Sequence, residues 1–296
     1  MTLEQLRIFL AVADAEHMTR AARKLHLTQS AVSGSIQALE QRHQINLFNR
    51  IGRRIELSVD GRAFVDHARS VLRAAELAQQ SLSNLQGTRR GIVELYASQT
   101  TGAYWLPRLL AKFHAAYPHI DVRLTLDNTK AVCDAVEGGL AEVGFVESGV
   151  SQSSLLVEQV GQDELVVVVG RNHGWTARTR LDRRQILEAR WILRESGSGT
   201  RSVFEQALRD TGVDPAELNV SLVLPSNEAV REFVENGRGA TAISRSVVHS
   251  SLRFKALRQI KFRPIPRPYH MLCHNQRALS RSASAFRQFV RNAANR

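Results

Sequence analysis

Apolar residues recur every three or four positions through most of residues 1–58, the spacing that predicts short amphipathic helices. Three helices are expected, with Thr19 as the N-cap of the second and Thr28 as that of the third. A basic tight turn from Arg50 to Arg54 and an alternating stretch then predict a small β-wing. The predicted core-facing positions are Leu3, Leu6, Phe9, Leu10 and Ala13, then Ala21, Ala22 and Leu25, and finally Val32, Ile36 and Leu39.

Residues 61–86 contain no proline and no internal glycine, and their apolar positions alternate between spacings of four and three. A pattern sustained over three heptads predicts a coiled-coil seam, and therefore a helix that joins two copies of the chain. The alternative is a long helix packed on its own domain. The predicted dimerisation positions are Phe64, Ala68, Val71, Ala75, Ala78, Leu82 and Leu85.

From residue 92 to the end, short apolar strands alternate with helical stretches, which predicts parallel βαβ units. This region is long for one simple sheet, so two linked α/β lobes are expected. The predicted strands are Ile92–Ala97, Val122–Leu126, Val143–Val146, Leu165–Val169, Trp191–Leu193, Val220–Leu224 and Ala240–Ile243.

The 296 residues include 40 Lys and Arg against 28 Asp and Glu, a formal charge of +12 that favours polyanionic partners. Arginine dominates the cations, which suits phosphate but equally fits a biased genome composition. No apolar run approaches the roughly 18–20 residues of a membrane span, and the N-terminus does not resemble a secretory signal. The two cysteines, Cys133 and Cys273, cannot form a disulfide framework. We therefore expect a cytoplasmic protein.

The run from Thr19 to Glu40 contains A-A-x-x-L and T-Q-S-A-V-S-x-x-I-x-x-L-E, followed by L-F-x-R ending at Arg50 and G-R-R ending at Arg54. In this order and spacing, it is similar to the LysR-type transcriptional regulators, and the rest of the chain resembles that family over its full length. The resemblance implies a winged helix-turn-helix at 1–58, a linker dimerisation helix at 59–88 and a periplasmic-binding-protein-like effector domain at 89–296. Lobe I of that domain would be about 92–161 and 266–296, and lobe II about 162–265.

His43-Gln44 departs from the Leu-Gly that many family members carry where the third helix should end in a left-handed cap. Gln meets a steric penalty in that conformation that Gly avoids, so the exit from the helix is expected to be reshaped.

The third helix of such a domain enters the major groove of DNA with its N-terminal residues at the base edges. Gln29 can pair with adenine through two hydrogen bonds, and the serines are short enough to reach bases or phosphates. Arginines of the wing would fix register on the phosphates or in the minor groove. For any one residue, a solvated surface position is an equal alternative. The predicted DNA-binding residues are Thr28, Gln29, Ser30, Ser33, Gln37, Arg50, Arg53 and Arg54.

Polar residues follow four predicted strands of the large domain, where ligands of open α/β sheets bind near free backbone N–H groups. Hydroxyls and amides from both lobes would suit a small anion. The alternative is that they are only helix N-caps. The predicted effector-binding residues are Ser98, Thr100, Thr101, Asn128, Thr129, Ser196, Ser198, Thr200, Ser226 and Asn227.

The resemblance favours a sulfite- or sulfate-like effector first, a phosphorylated metabolite second and an aromatic carboxylate third. It implies an interrupted palindromic DNA site, a dimer or tetramer, and contact with RNA polymerase. A small-anion solute-binding protein without a regulatory role is the alternative. We expect no cofactor and no enzymatic activity, since no nucleophile, acid or base constellation is present. We also expect no metal site, because His270, Cys273 and His274 fall on a predicted strand whose neighbours point to opposite faces.

Overall fold

The structure is a computed structural model that describes residues 1–51, 54–85, 91–147, 149–150 and 152–294. Within it the chain divides into two compact units. The first is Met1–Thr88 with Gly138–Leu140, and the second is Arg89–Glu137 with Ala141–Arg296. Among the described residues, no helix is both long enough and apolar enough to span a bilayer.

The first unit is helical, with a two-stranded wing between its third and fourth helices. The wing strands are antiparallel, with Phe48 opposite Leu57. Phe9 is fully buried at the centre of the core, where its ring lies 5.5 Å from that of Phe48. The predicted helices and wing are therefore present. Their bounds are α1 Leu3–Ala15, α2 Met18–Leu25, α3 Gln29–His43, β1 Phe48–Ile51, β2 Arg54–Leu57 and α4 Val59–Leu85.

Side chains near the helix ends fix this arrangement locally. Thr28 Oγ1 accepts from the Ala31 N–H at 3.2 Å, as predicted. The prediction for Thr19 is wrong, because His17 caps α2 by accepting the Thr19 N–H on Nδ1. The carboxylate of Glu40 accepts from the backbone N–H groups of residues 47 and 48, at 2.7 and 3.1 Å. This carboxylate thereby anchors the entry to the wing.

The helices α1, α2 and α3 each end on a non-glycine residue in the left-handed conformation. These C-caps are Glu16, His26 and Gln44, with φ of 46°, 57° and 54°. Gln44 thus adopts the conformation that Gly commonly fills, and the expected reshaping of the helix exit is not seen. Each such residue costs roughly 1–2 kcal/mol relative to an unstrained backbone.

The apolar stripe of α4 is partly used inside the chain. Ala68 is fully buried in the core of the first unit, and the ring of Phe64 lies 5.2 Å from that of Phe9. The dimerisation prediction is corrected for Ala68, because a side chain already enclosed by its own domain has no surface left for a partner. Val71 is 41% exposed and Ala78 is exposed, and Ala75 is half-buried. The side chains of Leu82 and Leu85 lie outside the described residues.

In the described part of the second unit, nine strands form one mixed sheet in the order β4-β3-β5-β11-β6-β9-β7-β8, with β10 beside β6. The pairs β3–β4, β3–β5, β7–β8 and β7–β9 are parallel, which confirms the βαβ prediction. The strands are β3 Gly91–Ser98, β4 Ile120–Asp127, β5 Val143–Val146, β6 Leu155–Gly170, β7 Trp191–Arg194, β8 Val220–Leu224, β9 Ala240–Ser244, β10 Leu257–Gln259 and β11 Ile265–His274. The helices are α5 Leu106–Ala116, α6 Thr129–Gly138, α7 Arg183–Glu188, α8 Gly199–Arg209, α9 Asn227–Asn236, α10 Arg245–Arg253 and α11 Arg281–Ala294.

Two long strands, β6 and β11, run antiparallel through the middle of this sheet. The predicted lobe boundary between residues 161 and 162 falls inside β6, so the strand belongs to both lobes. We keep the names lobe I and lobe II for the predicted ranges. Phe113, Phe145 and Phe286 are fully buried in lobe I, and Trp191 and Phe204 are buried in lobe II.

Candidate functional site

Helix α3 presents its polar residues to solvent and buries its apolar ones. Val32, Ile36 and Leu39 are at most 2% exposed, which leaves the opposite face free. On that face, Thr28 Oγ1 lies 3.0 Å from Ser30 Oγ at the amino end of the helix. The predicted α3 positions Thr28, Gln29, Ser30 and Gln37 are exposed, and Ser33 is half-buried.

Basic residues flank this face, and sequence reasoning overlooked some of them. Arg20 and Arg23 on α2, and Arg42 near the end of α3, are exposed. No described residue forms an ion pair with them, so their charge is free for a polyanion. The sequence signal for them is their position on the two helices, α2 and α3, of the helix-turn-helix. Arg50 and Arg54 lie on the wing strands, while their side chains, and Arg53 as a whole, lie outside the described residues.

A cavity of about 410 Å³ opens in the second unit where α6 of lobe I approaches the amino end of α8 of lobe II. Three predicted effector residues line it: Thr129, Ser196 and Ser198. The other lining residues are Lys130, Cys133, Gly149, Gln152, Gly197, Gly199, Arg201, Ser202 and Glu205.

Thr129 lines this cavity and carries a buried hydroxyl. The residue is 7% exposed, and its Oγ1 has no hydrogen-bond partner in the described structure. A buried hydroxyl without a partner costs about 1–3 kcal/mol. Its neighbour Asn128 acts as an N-cap, because Oδ1 accepts from the Ala131 N–H at 3.0 Å. Of these two predicted residues, Thr129 lines the cavity, whereas Asn128 is used as a helix cap.

The amino end of α8 faces the same space. Ser198 is its N-cap residue, yet the Ser198 side chain does not accept from the helix. The first backbone N–H groups of a helix have no partner within the helix, and the helix dipole makes this end positive. An anion in the cavity would therefore meet unpaired donors from lobe II and a hydroxyl from lobe I.

The cations around the cavity are already paired with carboxylates of the chain. Arg201 Nε lies 2.7 Å from Glu205 Oε1. Lys130 Nζ lies 2.6 Å from Asp134 Oδ2, at a largely exposed position, and this pairing raises the pKa of Lys130. Any anionic ligand thus has to compete with these internal partners.

Two further predicted residues, Thr100 and Asn227, meet each other across the lobes. The Asn227 amide donates to Thr100 Oγ1 at 3.0 Å, and Gln99 Oε1 accepts from the Asn227 N–H at 3.2 Å. Asn227 Oδ1 in turn accepts from Arg194 Nη1 at 2.8 Å. These side chains form hydrogen bonds within the protein and do not line the cavity.

The remaining predicted residues also have internal roles. The hydroxyls of Ser98 and Thr101 lie 2.8 Å apart, and Thr101 also donates to the Phe145 carbonyl at 3.1 Å. Ser226 caps α9 by accepting the Ala229 N–H at 3.0 Å. For these positions the alternative, a structural role in caps and turns, describes the contacts better.

A buried charge cluster around Arg267 was missed entirely. Its guanidinium is 0% exposed and lies 2.5 Å from Asp163 on β6 and 3.4 Å from Glu147 of lobe I. It also donates to Thr200 Oγ1 of lobe II at 2.9 Å. Thr200, a predicted effector-binding residue, is therefore hydrogen-bonded to Arg267 and does not line the cavity. The sequence gives no signal for it, since Arg267 simply stands between Pro266 and Pro268.

The cysteines are buried and unpaired. Burial raises the pKa of the Cys133 thiol to about 11 and that of Cys273 to about 11. Cys133 packs in a lobe I cluster with Val132 and Val136, as predicted, and its side chain also borders the cavity. His270, Cys273 and His274 do lie on one strand, β11, and the described residues contain no group of His, Cys, Asp and Glu that could hold a metal ion.

Comparison with known proteins identifies both units. Residues 3–62 match the bacterial regulatory helix-turn-helix protein model of the LysR family, and residues 86–295 match the LysR substrate binding domain. A probable RuBisCO transcriptional regulator of Cyanidioschyzon merolae is 29% identical and covers 98% of both chains. The HTH-type transcriptional activator CmpR of Synechocystis is 30% identical over 82% of this chain and 79% of its own. These relatives are regulators and not enzymes.

Solved structures share the fold. CbnR, a LysR family transcriptional regulator, is 22% identical with a TM-score of 0.76 and covers 99% of both chains. The regulatory domain of Synechocystis CcmR in complex with 2-PG is 24% identical with a TM-score of 0.61, covering 69% of this chain and 98% of that domain. The winged helix-turn-helix and two-lobed effector domain expected from the sequence are thus confirmed.

Proposed function

Because the chain belongs to the LysR family of DNA-binding transcriptional regulators, we propose that a small phosphorylated metabolite controls its activity from the cavity between Thr129 and α8. The helix-turn-helix would bind the promoter, and the effector domain would hold the metabolite.

The observation that carries this proposal is the Thr129 hydroxyl. It is buried and has no hydrogen-bond partner among the described residues. Thr129 lines a cavity whose other wall is the amino end of an eleven-residue helix. Phosphate and sulfate oxygens accept hydrogen bonds from hydroxyls and from such helix ends. A bound oxyanion would satisfy both sets of donors together.

The size of the cavity favours a phosphorylated metabolite over sulfite or sulfate, which reverses the order that the sequence suggested. A volume of about 410 Å³ is more than ten times the roughly 30 Å³ share of one water molecule. A single tetrahedral ion would leave most of this space to solvent, whereas a phosphorylated acid would fill more of it. The names of the relatives, RuBisCO regulators, and the 2-PG in the CcmR structure support the same choice.

In the proposed mechanism, the effector contacts both lobes and stabilises one arrangement of the effector domain over another. A ligand shifts such an equilibrium only by its difference in affinity for the two states. The paired winged helix-turn-helix units of a dimer or tetramer would then bind an interrupted palindromic DNA site differently. This change would alter transcription by RNA polymerase. The protein would act in the cytoplasm, where its DNA is.

The alternative, a small-anion solute-binding protein without a regulatory role, predicts no affinity for DNA. Retention of the intact chain on duplex DNA that weakens steeply with salt would contradict it. The exposed polar face of α3 and the free arginines beside it favour the regulator.

The test is calorimetric titration of the intact chain with 2-phosphoglycolate, 3-phosphoglycerate, ribulose bisphosphate, sulfite and sulfate. Thr129→Val removes the unpaired hydroxyl at nearly constant shape. It should raise the free energy of unfolding, because a buried donor without a partner is lost, and it should weaken binding of the phosphorylated ligand tenfold or more. Thr125→Val, on the exposed part of β4, is the matched control and should bind as the parent does. If no phosphorylated compound binds, or if Thr129→Val binds normally, the proposal fails.

A further inference from the structure

The cavity is bordered by an anion of the chain itself, the side chain of Glu205. Arg201 and Glu205 both line the cavity, and their side chains are only 27% and 21% exposed. The other bordering cation, Lys130, is 72% exposed and bonded to Asp134. Arg201 is therefore the cation within the cavity that an effector would use, and the chain's own carboxylate occupies it.

This pairing changes what a ligand must offer. A monocarboxylate that enters would meet a guanidinium already neutralised at 2.7 Å and a carboxylate of its own sign beside it. Exchanging one carboxylate for another gains little. A phosphate monoester carries a charge of about −1.5 to −2 at pH 7 and three acceptor oxygens, so it can bind Arg201 while also accepting from Thr129 and the α8 backbone.

A second cation lies within reach of the Glu205 carboxylate if an effector displaces it from Arg201. Glu205 Oε2 lies 3.8 Å from Arg209 Nη2, one turn further along α8. Arg209 is 53% exposed, near the surface. Glu205 could thus leave Arg201 without becoming an unpaired buried charge, which would otherwise be costly.

From this geometry we infer that Glu205 acts as an internal competitor that restricts the effector site to dianionic head groups. Glu205 pairs with Arg201 in the structure, and a dianion would take its place. This inference rests on the proposed function, because it concerns the same cavity, and it adds the residue that selects the ligand's charge.

The chain provides a matched control for this ion pair. Arg184 and Glu188 on α7 have the same i, i+4 spacing and the same Nε–Oε1 distance of 2.7 Å, but they are 82% and 62% exposed. Neither residue lines the cavity. A general effect of losing one carboxylate of a helical ion pair would appear in both Glu188→Gln and Glu205→Gln.

The experiment is calorimetric titration of the intact parent and variant proteins with 2-phosphoglycolate and with glycolate, which lacks the phosphate. Glu205→Gln should bind 2-phosphoglycolate about two- to fivefold more tightly, the scale of a partly exposed ion pair, and glycolate binding should become measurable. Arg201→Gln breaks the same ion pair but should weaken 2-phosphoglycolate instead. Glu188→Gln should match the parent.

Glu205→Gln and Arg201→Gln are therefore predicted to change the affinity for 2-phosphoglycolate in opposite directions. A purely structural role of the ion pair would not produce this difference. The inference is overturned if the parent binds 2-phosphoglycolate and Glu205→Gln binds it no more tightly, or if both variants weaken it. Failure of the proposed function looks different, since then parent, Glu188→Gln and Glu205→Gln all fail to bind any phosphorylated probe. Thermal unfolding of each variant identifies any that is not folded, and Glu205→Asp then replaces Glu205→Gln, because its shorter arm should also loosen the hold on Arg201 and tighten ligand binding.

Discussion

Asn227 of lobe II and Thr100 of lobe I are joined by a hydrogen bond of 3.0 Å from the asparagine amide to the threonine hydroxyl. Both residues are fully buried. The same amide group accepts from Arg194 at 2.8 Å through its oxygen. The Asn227 side chain thus bonds a guanidinium of its own lobe and a hydroxyl of the other lobe. This contact links the lobes in addition to the strands β6 and β11.

Asn227→Ala should lower the free energy of unfolding of the effector domain by about 2–3 kcal/mol, because it leaves a buried guanidinium N–H and a buried hydroxyl without partners. Differential scanning calorimetry of the intact chain measures this as a fall in Tm. Asn236→Ala is the control, since Asn236 ends the same helix at an exposed position and bonds only a backbone carbonyl. Equal effects of the two substitutions would contradict the bridging role.

Gln44→Gly should stabilise the DNA-binding unit by up to about 1 kcal/mol. The left-handed φ of 54° costs a residue with a Cβ roughly 1–2 kcal/mol, and part of this gain is offset by the greater entropy of glycine in the unfolded chain. Gln41→Gly makes the same chemical change inside α3, where it should destabilise by about 1 kcal/mol. Chemical denaturation of the two variants gives the signs, and a loss of stability in both would refute the strain argument.

Gln29→Ala should reduce discrimination between operator and random duplex by about 1–3 kcal/mol, because the side chain is exposed at the amino end of α3 where base edges are contacted. Its affinity for random DNA and the salt dependence should stay unchanged. Arg54→Ala should instead weaken all duplexes and lower the salt slope by about one, as expected for a phosphate contact. Fluorescence anisotropy with a genomic fragment selected for binding and a scrambled fragment separates the two patterns.

The Cys133 thiol should react slowly in the folded protein, despite bordering the cavity. With a pKa of about 11, about one thiol in a thousand is ionised at pH 8, and the thiolate is the reactive form. In a Cys273→Ser background, labelling by a disulfide reagent should accelerate about tenfold per pH unit between pH 7 and pH 9. It should become rapid on unfolding in urea. Fast, pH-independent labelling of the native protein would show an exposed, low-pKa thiol.

Much of the first unit could be predicted because its determinants are local. The spacing of Val32, Ile36 and Leu39 fixes the buried face of α3, and Thr28 caps it through a contact three residues away. Leu3 fits the same periodicity but is 43% exposed, since a pattern does not say where the neighbouring elements stop. Gln44 shows the converse, because it ends α3 in a left-handed conformation that a residue with a Cβ disfavours.

The heptad stripe of α4 illustrates what periodicity leaves undecided. An apolar stripe predicts that one face of a helix is buried. It does not show whether the same domain or a second copy of the chain buries that face. Ala68 is covered by its own domain, whereas Val71, three residues on, is exposed.

By itself, the sequence determined the family, the order of helices and strands, and the polar residues at the ends of the strands. Only the tertiary structure decided which of those residues have partners, because hydrogen bonds such as Asn227 to Thr100 join positions 127 residues apart. Among the described residues, the Thr129 hydroxyl has no partner, whereas those of Thr100 and Thr200 are hydrogen-bonded within the protein. The tertiary structure also enclosed Arg267 among carboxylates that no local pattern connects, since burial and pairing depend on elements that meet only when the sheet is assembled.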